Sequence, residues 1–539
     1  MDIQLKNLSM EKIILFIILM LGFIQCNNNP PELPESITII PHPSEITQHS
    51  GIFILNAKTR ISCNFELESI ALQLVNLLKP ATGFDIEIIE PTRKKNVIAL
   101  SLDKNLSELG KEGYKLEVKN DRIGIVAYTE SGIFYGIQTL RQLLPFQIES
   151  TSCYGKDIKW EIPCVSITDN PRFKWRGLMI DCSRTFWSKE FLKKIIRLMA
   201  LYKMNILHLH LTDDQGWRIE INKYPELTQK GARFPEKWGE PEGRDGFYTQ
   251  EDIKEVVSYA AKHNISVVPE IEMPGHTLAA LVCYPELSCT GKSFEIHPFL
   301  KGPHIHKDIF CAGNEKTFEF LENVLSEVFV LFPSKFIHIG GDEAPKICWK
   351  ACEKCQSRMK AEGLKDEEEL QSWFIKKIEK FVTNNGKILI GWDEIMEGGL
   401  SKTATVMYWR GKFKDIPLAA TSHGNHIIMC PTTHCYFDYN YKTISTIKAY
   451  EFEPIPDGFI QEQTELILGA QACFWSHIDR TEDKAERMLF PRLFSIAEVT
   501  WSPKEKRDTT HFKERVNSQL KRIKKLGIHY YPDSTVISN

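Results

Sequence analysis

Neither sign of charge dominates this chain: 67 Lys and Arg stand against 70 Asp and Glu, a formal net charge of −3 over 539 residues. Without a basic excess there is no electrostatic case for a nucleic-acid partner. Long apolar runs are missing as well. The clearest apolar stretch, Ile13 to Ile24, is too short to cross a bilayer as a stable helix. What is present is the composition of a globular protein, 42% hydrophobic and 25% charged. The length suggests two or three domains.

The N-terminus reads as an export signal over residues 1–26, with Lys12 before the apolar stretch and Gln25-Cys26 after it. Cys26 followed by Asn27-Asn28-Asn29-Pro30-Pro31 is similar to a bacterial lipoprotein junction, and residues 27–36 to a polar tether. Phe23-Ile24-Gln25 departs from the usual Leu and small residue before such a cysteine. The expectation is an exported chain, periplasmic or anchored by a lipid to the outer membrane. Fourteen cysteines in an exported chain allow disulfides, and Cys289 with Cys311 is the expected pair. Cys352-Glu353-Lys354-Cys355 has the spacing of zinc ligands. No second ligand pair stands beside it in the sequence, so buried thiols or a local disulfide are expected and no metal.

Residues 37–168 mix short apolar runs with helical ones. Asn96–Leu102, Tyr114–Val118 and Arg122–Ala127 read as strands. Ser131–Leu144 reads as a helix with Ile133, Ile137, Leu140 and Leu144 on one face. This is a small α+β domain, and Thr168-Asp169-Asn170-Pro171 is turn chemistry at its end. From 171 to 505 strands alternate with helices. The expected strands are Gly177–Asp181, Asn205–Leu211, Ser266–Glu272, Phe336–Gly340, Ile388–Trp392, Thr405–Trp409, His426–Cys430 and Ile467–Trp475. Lys189–Tyr202, Thr249–His263, Thr317–Phe332 and Glu367–Asn384 are helical stretches between them. Eight such strands predict a (β/α)8 TIM barrel. A doubly wound open sheet is disfavoured, because no glycine-rich phosphate fingerprint follows the first strand. Residues 506–539 read as a helix and tail.

Polar and aromatic residues collect where these strands end, the face on which barrels carry chemistry. Arg184 follows the first strand, Asp213 the second, and Glu272 and His276 the third. The fourth ends in His338-Ile339-Gly340-Gly341-Asp342-Glu343. Trp392, Trp409, Tyr436 with Asp438, and Trp475 with His477 follow the remaining four. An isolated Asp-Glu pair usually opens a helix, where acids suit the dipole. At a glycine-flanked strand tip, mutual repulsion instead makes one carboxyl a candidate general acid. Aromatic rings with acids and one Arg suit a sugar, whose apolar face stacks while its hydroxyls take polar partners. For Asp213, Glu272 and His276 a buried loop-holding network is the competing account.

These motifs carry a resemblance. His338-Ile-Gly-Gly-Asp342-Glu343, Asp181-Cys-Ser-Arg184, His210-Leu-Thr-Asp213-Asp214-Gln-Gly-Trp217 and Pro269-Glu-Ile-Glu-Met-Pro-Gly-His276 together resemble glycoside hydrolase family 20, the β-N-acetylhexosaminidases. The resemblance spans about residues 37 to 505. It implies an exo-acting retaining enzyme on terminal GlcNAc or GalNAc, with no cofactor, in which the substrate's 2-acetamido oxygen is the nucleophile and an oxazolinium forms. Glu343 would be the acid and then the base, Asp342 would orient the acetamido N–H, and Tyr436 would hold its oxygen. Trp392, Trp409 and Trp475 would enclose its methyl group, Arg184 would bind hydroxyls, and Asp213, Glu272 and His276 would tune Glu343. Asp438 would contact the sugar or the neighbouring wall. Where the family commonly ends its last strand with Trp-x-Glu, this chain has Trp475-Ser476-His477. An imidazole removes an anion there, so either a neutral contact or a substituted sugar such as 6-O-sulfated GlcNAc is expected. A disaccharide-releasing relative and a non-catalytic glycan-binding barrel are the other readings.

Overall fold

The computed structural model describes residues 37–155, 157–238, 245–298, 301, 304–477 and 481–537. The expected export signal and tether lie outside them. Among the described residues no helix is long and apolar enough to cross a membrane.

The N-terminal part is a seven-stranded mixed sheet in the order Glu45–Ile54, Glu161–Asp169, Tyr114–Lys119, Arg122–Ala127, Val97–Leu102, Arg60–Ser62 and Ile88–Ile89. Tyr114–Lys119 alternates buried and exposed residues at the period of a strand with one covered face. The helix Glu130–Leu143 supplies cover for that face. Gly136 lets it sit close, since a Cβ there would lie 2.5 Å from Ile125 Cγ2. The flanking strands Glu45–Ile54 and Glu161–Asp169 were not expected from the sequence. The first is polar through its N-terminal half apart from Ile46, and its order comes from pairing with the second.

Eight parallel strands then close into a barrel: Trp175–Asp181, Ile206–His210, Ser266–Glu270, Phe336–His338, Ile388–Trp392, Thr405–Tyr408, Ile427–Met429 and Ile467–Phe474. All eight expected strands are there, and the TIM-barrel reading holds. All seven residues of the first strand are buried, because side chains fill the barrel on one face and helices cover the other. The crossover helices start on side-chain caps. Ser188 caps Lys189–Leu201, Thr249 caps Gln250–Ala261, Asn314 caps Glu315–Leu331 and Asp366 caps Glu367–Asn384. Between the fifth and sixth strands the link is a short 3-10 turn, Asp393–Met396.

Strand register sets up the chemistry. Asp181 lies beside His210, His210 beside Glu270 and Glu270 beside His338, one row around the barrel's C-terminal rim. The helix Thr509–Lys525 clamps the two domains: Arg522 pairs with Glu149 at 2.7 Å and Gln519 donates to the Thr38 carbonyl. One expectation is corrected. Cys289 and Cys311 do not form a disulfide; both are free thiols, and both lie against Cys352 and Cys355.

Candidate active site

The fourth strand ends at His338, and Gly340 and Gly341 turn the chain with φ of +68° and +93°. Glu343 follows with φ +49°, a left-handed conformation that costs a side-chain-bearing residue of order 1 kcal/mol or more. His276, at the end of the third-strand loop, has φ +51°. Two strained residues thus meet: His276 Nε2 lies 3.4 Å from Glu343 Oε2 and 3.6 Å from Asp342 Oδ2.

Behind them runs a chain of charges. His276 Nδ1 is 3.2 Å from Asp213 Oδ1, and Asp213 Oδ2 accepts from Arg184 Nη2 at 2.7 Å and faces His210 Nε2 at 2.8 Å. His210 Nδ1 continues to Glu270 at 2.6 Å, and His338 Nδ1 reaches the same carboxylate at 2.9 Å. Burial favours the neutral form of Asp213, but the Arg184 guanidinium and His276 outweigh it and hold the carboxyl well below its usual range. Burial also opposes a charge on His276, yet Asp213 overrides it and raises the imidazole well above its ordinary value. The balance favours the imidazolium form of His276. Asp342 is pushed up to about 6, chiefly by burial; His276 draws it down, while Glu270 and Glu343 raise it. Its Oδ1 is buried and has no hydrogen-bond partner among the described residues.

Glu272 packs over Gly340, and its carboxyl is raised well above the normal range by burial and then by the Asp342 charge. Asp213 reaches Glu343 through His276. Trp392 is 1% exposed and gives its indole N–H to Glu270 at 2.8 Å, so it floors the site and stiffens the rim. Trp475 stands over it with centroids 5.9 Å apart, under the Arg184 guanidinium at 4.9 Å. Tyr436 lies 6.3 Å from Trp475 and 6.1 Å from Trp409, completing an aromatic arc. Asp438 is buried, is pushed up to about 7 by that burial, and has one oxygen without a hydrogen-bond partner among the described residues. His477, half-buried beside the last strand, is lowered from its usual value by burial and by Arg184.

The sequence reading passed over Glu394. Its carboxylate accepts the Trp409 indole N–H at 2.9 Å, and burial with the Asp393 charge pushes it up to about 9. Its place two residues past Trp392 at a strand tip was the available signal. His210, Glu270 and Gln215, which takes the Arg184 Nε–H at 3.1 Å, were likewise visible only as motif letters.

Paired carboxyls, a buried guanidinium and an aromatic arc at the C-terminal rim of a TIM barrel define a glycoside hydrolase. Residues 173–504 match the model described as "Glycosyl hydrolase family 20, catalytic domain", and residues 36–170 match that for "Glycosyl hydrolase family 20, domain 2". The chain belongs to glycoside hydrolase family 20. It is similar to a beta-hexosaminidase of Porphyromonas gingivalis, 40% identical over 93% of this chain but only 65% of that relative's length. A Vibrio furnissii beta-hexosaminidase is 33% identical over 86% of this chain and 76% of its own. Among solved structures, the family 20 β-N-acetylhexosaminidase of Streptomyces coelicolor A3(2) superposes with a TM-score of 0.82 at 30% identity, covering 93% of this chain and 99% of that one. A mutant Streptomyces plicatus beta-hexosaminidase in complex with its product GlcNAc matches with the same score and identity, over 93% and 98%.

Proposed function

We propose that this chain is an exo-acting, retaining β-N-acetylhexosaminidase that removes terminal β-linked GlcNAc or GalNAc by substrate-assisted catalysis. The observation that carries this reading is Asp342. It is a buried carboxyl beside a cation, with a free acceptor oxygen, next to the residue best exposed to a leaving group. A two-carboxylate retaining mechanism needs its acid and nucleophile about 5 Å apart on opposite sides of the bond. Asp342 and Glu343 are chain neighbours on one imidazolium, which suits two tasks on one side of the sugar.

In the first step the acetamido oxygen attacks the anomeric carbon. Glu343 protonates the departing glycosidic oxygen, while Asp342 accepts the acetamido N–H and balances the developing positive charge. In the second, Glu343 takes a proton from water, which attacks the anomeric carbon, breaks its bond to the acetamido oxygen and restores the acetamide with a β-anomer. Tyr436 donates to the acetamido oxygen, and Trp392, Trp409 and Trp475 wall its methyl group. Arg184 and Asp438 take ring hydroxyls. Burial and Arg184 disfavour a charge on His477, which suits an uncharged hydroxyl, so 4-nitrophenyl GlcNAc is expected to outpace its 6-O-sulfo analogue; the reverse order would restore the sulfated-sugar reading.

A series of aryl GlcNAc substrates with mono-, di- and trifluoroacetyl amides tests the nucleophile. The rate should fall steeply as the carbonyl oxygen weakens, and a flat series would sink the mechanism. Glu343→Gln should lower kcat on chitobiose by about 10²–10⁴-fold with little change in binding. Near-normal turnover would remove its acid role. Export with lipidation at Cys26 is our reading of residues 1–26, supported by the apolar stretch and the Cys-Asn-Asn-Asn junction. Detergent fractionation of wild type against Cys26→Ala checks it.

A further inference from the structure

The geometry points to a structural zinc site formed by Cys289, Cys311, Cys352 and Cys355, separate from the catalytic pocket. All four sulfurs lie within 4.8 Å of one another. Cys289 to Cys355 is 3.7 Å, Cys311 to Cys355 3.6 Å, and Cys311 to Cys352 3.8 Å. Four thiolates at the Zn–S distance of about 2.3 Å form a tetrahedron whose edges are about 3.8 Å. A disulfide would bring two of them to about 2 Å and leave the others as bystanders. Three separations of 3.6–3.8 Å, with all four sulfurs within 4.8 Å, match the first arrangement.

The backbone is shaped for it. Cys352 stands at the N-cap of the helix Glu353–Glu362 and Cys355 lies in its first turn, where the helix dipole favours thiolates. Gly313 has no room for a side chain, since a Cβ there would lie 2.2 Å from the Lys354 carbonyl carbon. That contact presses the Cys311 loop onto the Cys352–Cys355 turn. Cys311 is in turn tied to the Cys289 side by its N–H to the Leu287 carbonyl at 2.8 Å. The other four His and acid groupings close enough to hold a metal involve the charged network or the barrel rim. Among the described residues only this one is all sulfur.

The site has a mechanical consequence. Phe310 donates its N–H to the Pro274 carbonyl at 3.1 Å, two residues from His276, and accepts the Trp349 indole N–H at 2.9 Å. Zinc would pin the loops after the third and fourth strands to each other, behind His276 and Glu343. Binding converts four thiols to thiolates, with the four protons released to solvent.

The test uses the full chain purified without added metal or reductant. Elemental analysis should give about one zinc per chain, and mercurial titration of the thiols should release it. Cobalt replacement should show intense sulfur-to-cobalt charge transfer with tetrahedral d–d bands. Cys352→Ser with Cys355→Ser should lose the metal, whereas Glu343→Gln should keep it. Should the double variant fail to fold, chelation of the wild type decides: its thermal inactivation should speed up at least tenfold. An intact mass four hydrogens light with no zinc would mean two disulfides and overturn the proposal. Four free thiols without metal, or zinc that departs with Glu343→Gln, would overturn it equally.

Discussion

Asp342 and His276 form the titrating centre of the pocket, and their coupling has a sign. Asp342 must be ionised to accept the acetamido N–H and offset positive charge. Its folded value of about 6 means that kcat/KM should fall as pH drops below about 6. Asp438, held at about 7, is the competing source, so Asp438→Asn should leave that acid limb in place. His276 lowers Asp342, so removing the imidazolium with His276→Asn should shift the limb to higher pH. A limb that stays put would assign it to another group. Asp342→Asn itself should cost about 10²–10³-fold in kcat, the loss typical of one preorganised charge contact. At this scale much was legible. Adjacent acids after two glycines announce a strand tip, and each tryptophan ended its expected strand. Glu394 was legible only as a place at a strand tip, because its role rests on the Trp409 indole, a partner from the next strand.

Among elements, the fourth-strand turn carries the most constraint in the fewest residues. Gly340 has φ +68°, and a Cβ there would fall 1.6 Å from Glu272 Oε2. Glu272 is buried and cannot swing into solvent. Gly340→Ala should therefore move the turn that carries Asp342 and Glu343, lowering kcat by about 10²-fold with a smaller change in KM. Circular dichroism with steady-state kinetics separates this from global unfolding. A normal kcat would mean that the turn absorbs the methyl group. The barrel strands and their amphipathic helices were readable because burial on both faces writes continuous apolar runs and burial on one face writes a 3.6-residue period. The strand Glu45–Ile54 was not, since its polar N-terminal half is ordered by its neighbour.

Across the whole molecule, the two domains are joined by a buried ion pair. Lys203 Nζ lies 2.8 Å from Asp169 Oδ2, which also accepts from Tyr114 at 2.7 Å, while Asp169 Oδ1 takes the Trp501 indole N–H at 2.9 Å. Both charges are fully buried. Asp169→Ala would strand the Lys203 ammonium and should cost about 3–5 kcal/mol, read as a lower thermal midpoint. An unchanged midpoint would show that the lysine sheds its proton at no cost. The sequence by itself determined the barrel and its catalytic strand ends, because those depend on periodicity and on residues close together in the chain. Only the tertiary structure decided which distant groups share a charge or a centre. Asp169 meets Lys203 and Trp501, Asp342 bears on Glu272, and Cys289 comes within 3.7 Å of Cys355. The reason is physical: such interactions fall off over a few ångströms, and the separations are set by strand register and loop crossings that no local pattern records.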